Sequence, residues 1–394
     1  MLLHAIKATN LLSFGPDSPV IPLRALNLLI GPNGSGKSNL VESIALLRAT
    51  AVPSSPSSTG DLRDVVRRGG GITEWVWKGA PDEPAGVEAV VEVSGRKQLL
   101  RHALRFREER QTLQLHDELI EMNGTLPGAG TARFSYRLHQ GRPIVDAGGQ
   151  QRLLAPDTLD LNQSILAQRR DPETYPEISC LASAYEGIRI YREWMFGRAS
   201  VFRTPQPADM RSEPLQEDFS NLGLFLNHLR SIPKAKNAII TRLRDLYEGL
   251  DDFDVRIKGG TVEVFLTEGD FVMPARRLSD GTMRYLCLLA ILCDPEPPPL
   301  ICIEEPELGL HPDLLPNMAD LLVEASARTQ LIVTTHSDIL VDAMTERPED
   351  VVVFEKHDAR THATRLDGSR LANWLDKYRL GQLWTRGEIG GARW

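Results

Sequence analysis

This chain has little cysteine and little aromatic content: four cysteines and 6% Phe, Trp and Tyr in 394 residues. Cys180, Cys287, Cys293 and Cys302 form no C-x-x-C pair and no Cys/His spacing, so disulfide scaffolds and zinc modules are excluded. Three of the four sit in apolar runs, which reads as buried, reduced thiols and a cytoplasmic protein. No apolar run reaches the length of a membrane span, so no membrane partner is expected. The start, Met1 to Lys7, has neither the apolar core nor the cleavage site of a secretory leader. No heptad is sustained, which argues against a coiled-coil arm, and no internal repeat appears. Positive charge is not in excess either. A net charge of -8 excludes a surface that is basic everywhere and leaves room only for a local basic groove. What remains is a soluble globular chain, long enough for one large or two ordinary domains.

Against that background one stretch stands out. Gly31-Pro32-Asn33-Gly34-Ser35-Gly36-Lys37-Ser38 matches G-x-x-x-x-G-K-[ST] in full. Ala25 to Ile30 before it reads as a buried strand. Lys37 to Thr50 after it reads as a helix with apolar Leu40, Val41, Ile44 and Leu47. Glycines let successive backbone N–H groups turn around phosphate oxygens, and the helix N-terminus adds a favourable dipole. Lys37 is expected to meet the β/γ-phosphates of a nucleoside triphosphate, and Ser38 to offer a hydroxyl to Mg²⁺. A Gly-rich turn matching by chance is the bland alternative, and the flanking strand and helix argue against it.

Hydrolysis needs acids as well. Leu300-Ile301-Cys302-Ile303-Glu304-Glu305 is an apolar strand ending in two of them. Glu304 is placed for Mg²⁺, directly or through water, and Glu305 for orienting the attacking water. The alternative is a strand capped by solvated acids. Pro306 to Pro312 (PELGLHP) is turn-rich and leads to a helix over Asp313 to Ala327. A second buried strand, Leu331 to Thr335, ends in His336-Ser337. Ligands of open α/β sheets bind at strand carboxyl ends; the plain alternative for His336 is a packed or capping residue. Leu278-Ser279-Asp280-Gly281-Thr282 opens an apolar helix over Met283 to Cys293. It reads either as a second anion-binding helix N-terminus or as an N-cap made by Ser279 or Asp280.

Four motifs in this order, GPNGSGKS (31–38), LSDGT (278–282), LICIEEPELGLHP (300–312) and TTHS (334–337), resemble the ABC-type ATPases of the SMC/RecF group. The likeness is to the short bacterial branch with overcoming-lysogenization-defect-like heads. It covers the two ends of the chain. The resemblance implies an α/β ABC/SMC-type ATPase head: a P-loop lobe mixing antiparallel and parallel strands, plus an inserted helical lobe. It implies ATP and Mg²⁺ as ligands. Gly31, Asn33, Gly34, Ser35, Gly36, Lys37, Ser38 and Asn39 would hold the nucleotide. Glu305, His336 and Lys37 would serve catalysis, with Ser38 and Glu304 on the metal. Ser279 and Gly281 would bind the γ-phosphate held by a partner's P-loop, so a homodimer, or a higher homo-oligomer, closed over ATP is expected. LSDGT departs from the usual LSGGQ at Asp280 and Thr282, and Glu304 stands where Asp is usual. The glutamine expected between P-loop helix and helical lobe is unassigned among Gln98, Gln111, Gln114 and Gln140, and Asp61 to Gly71 is a further coupling candidate.

Pattern divides the chain into 1–155, the first part of the nucleotide-binding lobe; 156–250, helical; 251–366, its second part; and 367–394, a docking tail. In the first part, Ala51 to Gly60 reads as an exposed Pro/Ser loop and Asp61 to Arg68 as a short basic helix. Strands are expected over Val87–Val93, Leu99–Phe106, Thr112–Met122 and Thr131–His139. Helices are expected over Ile178–Phe196, Asp218–Leu229 and Ala235–Leu250. Val255–Lys258 and Val262–Leu266 follow as strands. Near the end come strands over Asp350–Glu355 and Thr361–Leu366 and a helix over Leu371–Tyr378. The Trp/Gly tail is either a plug on the protein's own core, strand and Trp together, or a surface for a partner. Arg101, Arg105, Arg107, Arg169, Arg170, Arg189, Arg192, Arg198 and Arg203 form either a phosphate-binding groove for nucleic acid or solvated ion pairs. The stretch after His336 is too short for the Toprim nuclease that some relatives carry. A separate nuclease or toxin effector is therefore the expected partner of a defence ATPase. The alternatives are a RecF-like repair clamp and, less favoured, the ATP-binding subunit of a transporter.

Overall fold

The computed structural model describes residues 1–391 apart from 55–58, 94–97, 111, 123–132, 148, 156–157, 196 and 198–199. Gln111, Arg198, Phe196, Thr131 and the terminal Ala392, Arg393 and Trp394 therefore lie outside the described residues, as does part of the Pro/Ser loop. Two compact units divide the chain. The first takes Met1–Ile188, Glu349–Leu366 and the last residues from Ile389; the second takes Arg189–Pro348 and Asp367–Glu388.

In the first unit, eight described strands form one antiparallel sheet. Its spatial order is Ile21–Pro22, Leu3–Thr9, Ala85–Val91, Leu100–Glu109, Thr112–Met122, Phe134–His139, Arg142–Ala147 and Gln150–Leu153. Strand alternation sorts the residues onto two faces. His102, Leu104 and Phe106 are buried, whereas Arg101 lies on the other face and bridges Glu88 (2.7 Å) and Glu121 (2.8 Å) across its neighbours. The last two strands extend the sheet beyond the four strands that the pattern picks out. A second strand set carries the phosphate loop. Leu26–Ile30 is buried at all five positions and runs parallel to Val351–His357. The latter turns back into Arg360–Arg365. Helix Lys37–Thr50 follows the loop with most of its residues buried and packs on helices Leu62–Arg68 and Pro176–Glu186. Asp61 caps the helix that begins at Leu62, accepting from the Asp64 N–H at 2.7 Å.

In the second unit, Arg189–Tyr191, Leu300–Glu304 and Gln330–Thr334 are parallel strands in register. Helices Asp280–Leu292, Leu315–Ser326 and Asp338–Ala343 accompany them. Helices Leu222–Ser231 and Pro233–Arg244 pack on Asp280–Leu292 and on the strand Leu250–Lys258. That strand pairs antiparallel with Thr261–Glu268, which also pairs with Phe271–Pro274.

One long helix over Ile178–Phe196 does not form. Helix Pro176–Glu186 stops at Gly187, and Arg189–Tyr191 is a strand. The cause is tertiary. Ile190 and Tyr191 are buried and pair in register with Cys302 and Ile303, and β-branched and aromatic side chains suit that site. The helices of the 156–250 stretch are shared between the units: Ile165–Gln168 and Pro176–Glu186 in the first, Leu222–Ser231 and Pro233–Arg244 in the second. The tail is not a strand but a helix, Leu380–Thr385, with Leu380, Leu383 and Trp384 buried. It packs on Asp338–Ala343.

The contact between those two helices is close at Gly381. A Cβ there would lie 2.3 Å from the Asp338 carbonyl oxygen. Gly381→Ala should therefore cost about 1–3 kcal/mol by overpacking. We expect a lower Tm and faster proteolysis between Asp376 and Glu388; unchanged values of both would show that the helix docks some other way.

Candidate functional site

The phosphate loop belongs to the first unit. Gly31 has φ 142° and its missing Cβ would sit 2.2 Å from the Phe354 carbonyl oxygen. Gly36, at φ 107°, begins the helix with no side-chain cap, and no acid lies in the first turn. The helix N-terminus is thus left to an external anion, as its dipole favours. Lys37 is buried, its Nζ donating to the carbonyl oxygens of Gly31 (2.7 Å) and Pro32 (3.2 Å). Asn33, Gly34 and Ser38 are exposed. The Ser35 Oγ is buried and has no hydrogen-bond partner among the described residues. The Asn39 amide is turned to Ser13, donating to its Oγ at 2.5 Å. A cradle of glycines, an ammonium held by two carbonyls and an uncapped helix start fit a polyphosphate.

The acids, the histidine and the serine motif belong to the second unit. Glu305, just past the strand, has a left-handed backbone (φ 47°), rare outside glycine. Its N–H holds that shape by donating to the Thr334 carbonyl oxygen (3.0 Å) and to Thr334 Oγ1 (3.2 Å). The side chain then meets His336, with Oε1 3.6 Å from Nε2, and the two are 37% and 34% exposed. The capping alternative for His336 does not apply, because Ser337 does the capping, accepting from the Leu340 N–H at 3.2 Å. Glu307 sets the position of His336. Its Oε1 accepts from Thr335 Oγ1 (2.7 Å) and from the His336 N–H (2.8 Å). Burial pushes the Glu307 carboxyl above the usual glutamate range, against these hydrogen bonds.

Ser279 caps its own helix, accepting from the Thr282 N–H at 3.1 Å. Arg203 grips the same turn, donating to the Leu278 carbonyl oxygen (2.6 Å) and to Asp280. Gly281 lies against the acid-bearing loop: a Cβ there would be 2.8 Å from the Gly309 carbonyl oxygen. One turn on, buried Arg284 donates to the Leu308 carbonyl oxygen. Its guanidinium lies 4.8 Å over the Trp194 ring, and the Trp194 Nε1–H donates to the Glu304 carbonyl oxygen at 2.8 Å. Desolvation lowers the Arg284 pKa, opposed by the charges of Glu307 and Glu305. The second unit thus gathers Ser279, Gly281, Glu304, Glu305 and His336 around one joined set of turns. Among the described residues no cluster of three His, Cys, Asp or Glu side chains could hold a metal by itself. Ser38, in the first unit, and Glu304, in the second, each offer an oxygen, the donor type that suits magnesium.

Ser13, Thr361, Glu307, Arg284 and Trp194 escape the sequence reading of the site. Only Arg284 carries a signal there, as the single charge in the apolar run MRYLCLLAIL. Four arginines of the middle pair with acids: Arg101 and Arg105 on Glu88, Arg107 on Glu109, Arg170 on Glu186. That is the ion-pair reading for these four. Gln114 accepts from Arg107, Gln98 is exposed, and Gln140 sits in a hairpin turn at φ 50°. None of them is marked out as a coupling glutamine.

A family model described as "AAA domain, putative AbiEii toxin, Type IV TA system" matches residues 26–342. The chain belongs to this family. Its fold is also that of solved SMC head domains. One, described as the SMC head bound to the C-winged helix domain of ScpA, aligns with a TM-score of 0.55 at 16% identity, over 94% of this chain and 99% of that one. A second is an Smc head with an extended coiled coil bound to the C-terminal domain of ScpA, derived from Pyrococcus furiosus. It gives 0.53 at 14%, over 96% and 99%. A third, the Smc head with coiled coil and joint from Pyrococcus yayanosii, gives 0.50 at 14%, over 96% and 99%. No curated protein matches the sequence. Among the described residues, no helix is long and apolar enough to cross a membrane.

Because the folded Glu307 holds its proton more tightly than the unfolded one, its penalty is absent at low pH. It grows as pH rises from the ordinary glutamate value through the raised one. Glu307→Gln removes the charge and keeps an acceptor for Thr335 and His336. Its Tm should equal or exceed the wild type at pH 7.5, with the gap shrinking toward pH 4. A variant clearly less stable at pH 7.5 would mean that the ionised carboxylate is what the fold requires.

Proposed function

We propose that the chain is an ATP-hydrolysing switch whose heads dimerise around two ATP molecules. Gly31, Asn33, Gly34, Ser35, Gly36 and Lys37 hold the phosphates, with Asn39 bracing the loop from the helix. Ser38 and Glu304 would hold Mg²⁺, which would neutralise phosphate charge. Glu305 orients the attacking water and accepts its hydrogen bond, and His336 contacts the γ-phosphate. Water adds to the γ-phosphorus as the bond to the β-bridging oxygen breaks, giving ADP and phosphate. Ser279 and Gly281 of one copy close over the nucleotide of the other.

The observation that carries this reading is the Glu305–His336 pair, 3.6 Å apart at the ends of adjacent parallel strands. A left-handed residue that is not glycine costs about 1–2 kcal/mol. Such a cost is commonly met at active sites. The uncapped, acid-free helix start after Gly36 supports the nucleotide half.

For the biological role, the family description points to defence through a toxin–antitoxin arrangement. We place the chain as the ATPase or sensor of a bacterial anti-phage system, cytoplasmic, with a separate nuclease or toxin as effector. The four cysteines form no disulfide among the described residues, which agrees with a reducing compartment. Nucleic acid is a further ligand in this reading.

Glu305→Gln should lower turnover about a hundredfold, the usual scale of a lost general base. It should also accumulate an ATP-bound dimer, seen by light scattering after gel filtration. Wild-type turnover in this variant would sink the assignment. Lys37→Ala should abolish both ATP binding and the ATP-dependent dimer; a dimer that persists would remove ATP from the interface. Steeply salt-dependent stimulation by DNA would instead favour a repair clamp.

A further inference from the structure

The P-loop motif does not say what keeps the loop open, and the side chains that do so come from elsewhere in the first unit. Thr361 is buried on the strand Arg360–Arg365, and its Oγ1 donates to the Ser35 carbonyl oxygen at 2.8 Å. A hydroxyl has one proton. With that proton spent on Ser35, Thr361 must accept from Ser13, whose Oγ lies 2.6 Å away. Ser13 has then spent its own proton and accepts from the Asn39 amide at 2.5 Å. The direction of the whole chain is therefore forced. It runs from Asn39 to Ser13 to Thr361 to the Ser35 carbonyl.

Both ends of this relay lie on the phosphate-binding segment. Ser35 is in the loop and Asn39 in the first turn of its helix. The middle two members tie that segment to the residue 13 loop and to a hairpin over 300 residues later. In a trans peptide the C=O and the following N–H point in opposite directions. Pinning the Ser35 carbonyl on Thr361 therefore aims the Gly36 N–H the other way, as an anion on the helix start requires. Gly36 is held from the same side, since a Cβ on it would lie 2.2 Å from Thr361 Oγ1.

We propose that Thr361 and Ser13 are positioning residues that set the nucleotide affinity of the P-loop by fixing the 35–36 peptide. This rests on the ATP-binding reading above. Thr361→Val keeps the branched shape and removes the hydroxyl; Thr361→Ser keeps the hydroxyl. Two measurements apply: titration of Mg²⁺ with a fluorescent ATP analogue, and hydrogen–deuterium exchange of peptides over residues 31–41 in nucleotide-free protein. Thr361→Val should weaken binding about tenfold and speed exchange comparably. Thr361→Ser should stay within about twofold on both. A Val variant with wild-type affinity and exchange, or a Ser variant as impaired as Val, would overturn the proposal. Should Thr361→Val fail to fold, Ser13→Ala breaks the same relay and is judged by the same two readouts. If the wild type itself binds no nucleotide, the functional reading fails, while exchange in the variants still decides the relay.

Discussion

A backbone that turns its N–H groups toward an anion must send its carbonyls elsewhere, and the phosphate loop depends on that constraint. The Gly31 and Pro32 carbonyls go to the Lys37 ammonium, and the Ser35 carbonyl goes to Thr361. The glycines follow from the same demand. At Gly31 and Gly36 the space a side chain would use is taken by the Phe354 carbonyl and by Thr361. The buried strand Leu26–Ile30 and its parallel neighbour, buried over Val351–Phe354, frame the loop. The cationic end of the helix is thereby left without a partner from its own first turn.

In the second unit the problem is reversed: too many acids in a small space. Glu304 ends the strand, and Glu305 and Glu307 follow it. Each finds a different solution. Glu305 turns outward through a left-handed backbone toward His336. Glu307 turns inward onto Thr335 and the His336 N–H. The Glu304 backbone is tied to Trp194, whose ring lies beneath Arg284. The buried guanidinium offsets the local negative charge that Glu307 and Glu305 create.

What could be read from sequence follows from this layout. The P-loop, the acid pair and His336 lie at strand ends, so strand pattern and motif together locate them to within a residue. Ser13, Thr361 and Arg203 act on segments distant in the chain, and a single hydroxyl or arginine leaves no periodic trace. The run from Ile178 to Phe196 failed for another reason. Apolar residues there suit a helix up to Glu186 and a parallel strand after Gly187, and only the pairing with Cys302 and Ile303 separates the two. The strand Gln150–Leu153 is exposed at every residue, so it carries no apolar alternation to read.

The approach of Gly281 to Gly309 acts as a filter on which changes this turn can accept. The turn carries Asp280 and Thr282 on either side of Gly281. Asp280 leans out to Arg203, and Thr282 exchanges hydrogen bonds with Ser279 and Tyr247, so both side chains have somewhere to go. At 281 the nearest atom is a backbone oxygen, which no change of rotamer can move. Side chains in this turn are therefore confined to the two positions where they find a partner inside their own unit.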